Sequence, residues 1–521
     1  MNVAALLHAQ ATLRPDAPAI IERRGGRTRT TTFAALDRAA AQAAALLRRE
    51  GLAPGDAALV LHPVSSDLYV ALAALLRLGL VAMFLDPSAG RAHVERCCAL
   101  VPPRALIASP KAHALRITSP GLRRIPHKFS VGPALPGATR WGGNGLTSWD
   151  AFEDCKPDAA ALLTFTSGSM GWPKAAVRTH GFLLAQYRVL EQSLALAPGE
   201  VDLVTLPIVL LANLASGVTS LIPDADLRRP GAIDPAPVVD QIQAHRPVRT
   251  AASPAFLDRL AGYCAPRRIA LSSFTRIYSG GAPVFPRMLD EFQGMAPQAE
   301  VCAVYGSTEA EPIAHVARSQ MHANDIEAMY AGRGLLVGRP VPAIQLRILP
   351  DRWGTPIGPY TDEALAAVSL PPGAPGEIVV SGAHVLSGYL HGEGDKEAKF
   401  TVGGSIWHRT GDAGYLDAKG RLWLLGRCAA RIADLYPFSV EGAVLRYAAI
   451  HRAAVVAHRG ERVLLVQWDA RATRVDLAEI REYLTWAKLD AVIAVPEIPL
   501  DKRHNAKVDY PAAQRLLERV R

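Results

Sequence analysis

The densest chemistry in this chain lies in Thr166-Ser167-Gly168-Ser169-Met170-Gly171-Trp172-Pro173-Lys174, a run of small and hydroxylated residues that ends in a cation. Thr166, Ser167 and Ser169 offer hydroxyls, while Gly168 and Gly171 let backbone N–H groups approach a polyanion closely. Lys174 can balance phosphate charge, and Pro173 stiffens its approach. The spacing G-x-x-x-x-G-K-[ST] is absent, which argues against a P-loop NTPase. Taken alone, such a stretch is as readily a solvated surface turn. A second group, Tyr305-Gly306-Ser307-Thr308-Glu309, sets a hydroxyl beside a carboxylate, as suits a hard cation bridging phosphates. Its plain alternative is a strand-to-helix turn capped by Ser307 or Thr308. In Thr410-Gly411-Asp412 the carboxylate can accept two O–H bonds at once, and Lys507 stands in a polar segment near the C-terminus.

The elements that must hold these residues alternate. A helix is expected over 34–49, a strand over 57–61, a helix over 67–78 and a strand over 81–85. This is α/β punctuation, expected of a parallel or mixed sheet covered by helices. Gly and Pro thicken over 119–145, which reads as an irregular connection. An apolar strand is expected to lead into the Thr166 loop and a helix to follow the Pro-Lys pair, with 180–194 helical. Residues 206–217 are almost wholly apolar and read as core. Further strands are expected at 203–206, 274–278, 413–416 and 422–425, the last two joined by the Asp417-Ala418-Lys419-Gly420 turn. Beyond residue 427 a small α+β domain is expected, with helices at 439–447 and 477–484 and strands at 453–458, 463–468 and 491–495.

With 521 residues, 50% hydrophobic and 20% charged, the chain has material for two or three folding units and a sizeable core. The net charge of +9 comes from dispersed basic residues without interleaved aromatics, so a positive field attracting ATP and carboxylates is the expectation and nucleic-acid binding is not. Six scattered cysteines show no C-x-x-C pair, so neither a zinc site nor a disulfide framework is legible and a reducing, cytoplasmic setting is expected. The longest apolar run, 68–85, is broken by Arg77 and Gly79 and reads as buried helix then strand, not as a membrane span.

These motifs, in their order, resemble the adenylate-forming superfamily of acyl-CoA synthetases, peptide-synthetase adenylation domains and luciferases. The first loop resembles T-S-G-[ST]-T-G-x-P-K-G, with Met170 and Ala175 departing from it. Ser279-Gly280-Gly281-Ala282-Pro283 resembles the adenine-contacting turn, Tyr305 to Glu309 the Y-G-x-T-E motif, and 376–389 the run that precedes the ribose-binding aspartate. The resemblance implies a large N-terminal domain of sheets covered by helices (1–426) and a small mobile α+β lid (427–521). It implies that Thr166, Ser167, Gly168, Ser169, Gly171 and Lys174 cradle phosphate, that Gly281, Ala282, Pro283, Tyr305 and Gly306 receive adenine, and that Asp412 and Arg427 hold ribose. By the same resemblance Glu309 and Thr166 bind Mg2+, Lys507, Thr308, Glu309 and Lys174 serve catalysis, and the stretch 206–217 contributes to an apolar acyl pocket. Arg503 to Lys507 and Arg421-Leu422-Trp423 look most like the olefin-pathway β-lactone synthetases, which activate a β-hydroxy acid with ATP and close it on itself. Thioester-forming members carry an I-K-x-x-G stretch near the hinge; here the chain reads Ala429-Ala430 and Ile432-Ala433-Asp434, so coenzyme A stands as an alternative co-substrate.

Overall fold

The computed structural model describes residues 2–86, 89–142, 147–167, 173–469, 472–501 and 507–520. Gly168, Ser169 and Gly171 of the first loop, and 503–506 before Lys507, lie outside the described residues, as do the side chains of Thr166 and Ser167. The chain packs as two compact units: Met1–Asp224 with Ala383–Lys396, and Ala225–Gly382 with Glu397–Arg521.

In the first unit a seven-stranded sheet runs Thr139–Arg140, His127–Ser130, Ala105–Ala108, Ala57–Leu61, Val81–Phe84, Ala160–Ser167, Pro173–Thr179. Every pairing is parallel except the last. The helix Phe33–Arg49 starts where Thr32 accepts a hydrogen bond from the Ala35 N–H, and it buries Phe33, Leu36, Ala40, Ala44 and Leu47 along one stripe. The apolar run that follows is the helix Ser66–Arg77 and the strand Val81–Phe84. Arg77, which interrupts its apolar pattern, is buried, ion-paired to Asp37 and donates to the carbonyls of Trp149 and Asp150. No helix of the described residues is long and apolar enough to cross a membrane.

Two expectations are corrected here. Residues 173–179 form a strand, not a helix: Val177 and Thr179 are β-branched, Arg178 reaches across to the Thr164 hydroxyl at 2.7 Å, and the register sets Thr166 opposite Lys174. The helix begins only at His180, capped by Thr179. The loop therefore joins two strands of a hairpin. The second correction is the connection 119–145, which contains the helix Pro120–Arg124 and the strand His127–Ser130 inside the sheet. Four residues are too few to show a period.

In the second unit Arg249–Ala252, Arg276–Gly280 and Glu300–Ser307 run parallel. From Glu300–Ser307 the sheet continues antiparallel through Ala310–Ala317, Leu335–Pro340, Leu422–Arg427, Ser405–Leu416, Gly376–Ser381 and Gln345–Leu349. The boundary expected at 426/427 falls within this unit, at the end of Leu422–Arg427. Past it, Ile450–His458, Glu461–Trp468 and Ala491–Val495 form a separate three-stranded sheet, flanked by the helices Pro437–Val444 and Tyr510–Val520. Each face of that sheet has its own apolar cluster.

The strand Leu335–Pro340 is bulged against Leu422–Arg427 at Gly338, which holds φ +90°. A Cβ there would collide with the His315 carbonyl and lie 2.8 Å from the Val316 Cβ. Gly338→Ala is expected to cost about 1–3 kcal/mol, the scale of one forced backbone conformation. A urea unfolding midpoint equal to wild type would contradict this.

Candidate functional site

Parallel strands leave their ligand-facing loops at their carboxyl ends. Arg276–Gly280 and Glu300–Ser307 end side by side, with Gly280 in register with Val304. A Cβ on Gly280 would lie 2.7 Å from the Val304 carbonyl, so only glycine admits this approach. The next residue, Gly281, holds φ +82° and faces open space. That space is a cavity of about 1250 Å³, lined by Gly281, Ala282, Pro283, Tyr305, Gly306 and Ser307 from these two strand ends.

Asp412 enters the same cavity from Ser405–Leu416, opposite Arg427 in the antiparallel register. Its Oδ1 accepts from Arg427 Nη1 at 2.9 Å and its Oδ2 from the Tyr305 hydroxyl at 2.8 Å. The Arg427 guanidinium also donates to the Thr410 carbonyl at 3.0 Å. Burial first, then the Asp412 charge, pushes the Tyr305 phenol well above its usual range, so Tyr305 stays a neutral donor. The Asp412 carboxylate in turn raises Arg427 further.

Three residues before Asp412, Arg409 is fully buried and grips Glu377 through two bonds of 2.8 and 2.6 Å, while its donors also reach the carbonyls of Thr355 and Arg352. Burial raises the Glu377 carboxyl, and Arg409 opposes that shift. Gly411, at φ +68°, leaves room for the Trp353 ring, which a Cβ would meet at 2.9 Å.

Thr308 and Glu309 form the two-residue turn between Glu300–Ser307 and Ala310–Ala317, a strand-to-strand turn with no helix following. The Glu309 N–H donates to the Ser307 hydroxyl at 3.2 Å. Glu309 is close enough to raise both His408 and Arg427 electrostatically, although burial is the largest effect on His408 and lowers it. Among the described residues no cluster of three His, Cys, Asp or Glu could hold a metal. The Glu309 carboxylate, adjacent in sequence to the Thr308 hydroxyl, fits Mg2+, which takes one or two protein ligands along with phosphates and water. Lys174, in the first unit, lies over the Tyr389 ring at 5.5 Å and packs against Gly394, where any Cβ would collide with its side chain.

Lys507 lines the 1250 Å³ cavity together with Asp412 and Arg427. Its N–H donates to the Asp501 carboxylate at 3.1 Å, and the Asp501 N–H returns a bond to its carbonyl at 2.9 Å. Two further residues on this wall, Glu441 and Tyr510, escaped the sequence reading. The available signal was a carboxylate set among the apolar residues Val440, Ala443 and Val444 of a buried helix. The apolar segment 206–217 is the helix Pro207–Ser216, and most of it packs as core. A cavity of about 60 Å³ beside it, lined by Leu7, Tyr69, Leu211 and Leu214 among others, is far too small for a fatty chain. At the expected hinge, the Tyr436 hydroxyl donates to Asp351 at 2.8 Å, and Arg431 stands 3.6 Å from the same carboxylate.

A cavity walled by parallel-strand ends, a doubly engaged carboxylate and a lysine defines a class: an AMP-forming ligase holds a nucleotide in such a place while it activates an acid. The family model described as AMP-binding enzyme matches residues 7–390, and the chain belongs to that family. It is 32% identical over 549 aligned positions to an olefin beta-lactone synthetase of Stenotrophomonas maltophilia, covering 97% of this chain and 96% of the relative. A feruloyl-CoA synthase of Amycolatopsis is 28% identical, with 91% of this chain and 90% of the relative covered. In fold it matches an amide bond synthetase from Marinactinospora thermotolerans, with a TM-score of 0.80 at 22% identity and 99% of both chains covered.

Asp412→Asn keeps the shape but loses the charge that holds Arg427 and accepts hydroxyl donors. The expected result is ATP binding weakened about tenfold to a hundredfold, the scale of one charged hydrogen bond, measured by titration calorimetry; unchanged affinity would remove Asp412 from the nucleotide site. A second expectation concerns pH. Burial pushes the Glu441 carboxyl up to about 8, so the folded chain keeps a proton that the unfolded chain releases near its ordinary carboxylate value. Stability from this group is complete below that ordinary value and is lost as pH rises through about 8. Glu441→Gln should flatten the decline in urea midpoint between acid and alkaline buffers, and an equally steep decline in the variant would refute the assignment.

Proposed function

We propose that this chain activates a fatty-type β-hydroxy carboxylic acid with ATP and Mg2+ and then closes it to a β-lactone. What carries the reading is one cavity lined by Gly281, Tyr305, Asp412, Arg427 and Lys507, in a chain whose near full-length relatives include an olefin beta-lactone synthetase. In the first step a carboxylate oxygen attacks the α-phosphorus, the bond to the bridging oxygen breaks, and pyrophosphate leaves. Lys507 offers its ammonium to the charge that builds on the α-phosphate and the attacking carboxylate. Asp412 and Arg427 hold the ribose hydroxyls, while Gly281, Ala282, Pro283, Tyr305 and Gly306 seat the adenine. Thr166, Ser167, Gly168, Ser169, Gly171 and Lys174 are assigned to phosphate, with Thr308 beside them in role. Bound Mg2+, held by Glu309 and Thr166, would neutralise phosphate charge.

In the second step the β-hydroxyl oxygen attacks the activated carbonyl carbon, the bond from that carbon to the phosphate oxygen breaks, and AMP leaves with the hydroxyl proton on its phosphate as the four-membered ring closes. The hydroxyl is tethered to its target, so its effective concentration far exceeds that of a diffusing thiol. Residues 427–521 are assigned as the mobile lid that brings Lys507, and the buried thiols suit a cytoplasmic setting. Feruloyl-CoA synthase among the relatives favours a second reading, in which coenzyme A captures the acyl group.

Lys507→Ala is expected to lower pyrophosphate exchange by about two to three powers of ten, as when one transition-state donor is lost. ATP affinity should change little; normal exchange would refute the role. To settle the product, a long-chain β-hydroxy acid is incubated with Mg-ATP and its β-proton followed by NMR, with and without coenzyme A. A lactone formed without the thiol is expected. AMP release that needs coenzyme A, with a thioester as sole product, would establish the acyl-CoA ligase instead.

A further inference from the structure

We infer that Tyr510 and Glu441 are positioning residues for Lys507, a buried hydroxyl–carboxyl clasp that sets where the lysine stands in the cavity; this rests on the catalytic assignment of Lys507. The Tyr510 hydroxyl donates to both oxygens of Glu441, at 3.0 and 3.1 Å. Glu441 is 3% exposed in the helix Pro437–Val444, and its Oε1 also accepts the Val455 N–H at 3.2 Å from the strand Ile450–His458. The clasp thus joins the final helix to a helix and a strand of the small sheet at a single point. Tyr510 begins that final helix, three residues after Lys507.

Between them the chain has little freedom. Val508 bridges Leu500, the Asp509 N–H donates to the Pro499 carbonyl at 2.9 Å, and the Asp509 side chain accepts from Ala512 N–H at 2.9 Å. Any rotation of the helix start therefore moves Lys507. The helix is separately held by Ala513 and Leu517, fully buried against Ala454, Val456, Val463 and Leu465. Attachment is thus secured by apolar packing, and the polar clasp is left to fix orientation. Tyr510, Glu441 and Lys507 line the same cavity wall. A buried hydroxyl held by two acceptor atoms has a defined direction, which apolar packing alone does not impose.

Tyr510→Phe keeps the ring and its packing and deletes only the hydroxyl. Displacing a catalytic group by about 1 Å costs on the order of a hundredfold, so kcat for pyrophosphate exchange should fall about tenfold to a hundredfold while KM for ATP stays within about twofold. Glu441→Gln, which retains a carbonyl acceptor, should keep most of the activity, whereas Glu441→Leu should match Tyr510→Phe. In a Lys507→Ala background Tyr510→Phe should add no further loss, because there is no ammonium left to misplace. Wild-type kcat in Tyr510→Phe, or an equal proportional loss with and without Lys507, would overturn the inference while leaving the role of Lys507 intact. Full activity in Lys507→Ala itself would overturn both. Should Glu441→Leu fail to fold, Tyr510→Phe and its double variant still decide the matter.

Discussion

The buried pair of Arg409 and Glu377 is the interaction on which the second unit's chemistry depends. Placing two charges out of water is costly, and a hydrophobic pair of similar volume would often serve stability as well. What such a pair offers is a single geometry. The guanidinium is bound on both edges of the carboxylate, and its donors also take the Thr355 and Arg352 carbonyls. The strand can neither slide nor flip without leaving a charge unpaired. Three residues on, Asp412 inherits that fixed register and meets Arg427 across the ladder and Tyr305 from the parallel half of the sheet. The ligand-facing carboxylate is thus positioned by an ion pair that does not line the cavity.

Much of this was legible in the chain. Glycine-rich turns, hydroxyls beside carboxylates and the order of the motifs pointed to nucleotide chemistry, and Gly281, Tyr305, Asp412, Arg427 and Lys507 do line one cavity. The alternation of apolar segments was enough for the α/β class, because strands such as Ala57–Leu61 and Ala105–Ala108 are buried end to end. What escaped was set by partners remote in sequence. Residues 173–179 mix two alanines and an arginine with the β-branched Val177 and Thr179, so local propensity is divided and pairing with 160–167 decides for the strand. Arg409 and Glu377 are 32 positions apart, and only the sheet reveals that they meet. Glu441 and Tyr510 are 69 positions apart, beyond any local pattern.

The two halves of the second unit divide the work by sheet type. Parallel strands end together and release short loops on one edge, which suits a flat ring lying against the backbone. Antiparallel strands bring side chains face to face at fixed intervals, which suits a carboxylate and guanidinium placed opposite each other. The Thr308–Glu309 turn sits where one regime passes into the other. It lies one residue beyond the cavity-lining Ser307, close enough for its carboxylate to influence Arg427.

All six cysteines are buried thiols, and burial pushes Cys97 and Cys302 up to about 12 and Cys98 and Cys264 up to about 11. Only the thiolate is a competent nucleophile. Mixed anhydrides and strained esters, the species of the reaction proposed above, are acylating agents, and a ligase that made them would itself be the first protein they meet. Burial keeps the sulfurs protonated, including that of Cys264 in the lining of the cavity, so in that proposed reaction such species meet little thiolate to acylate.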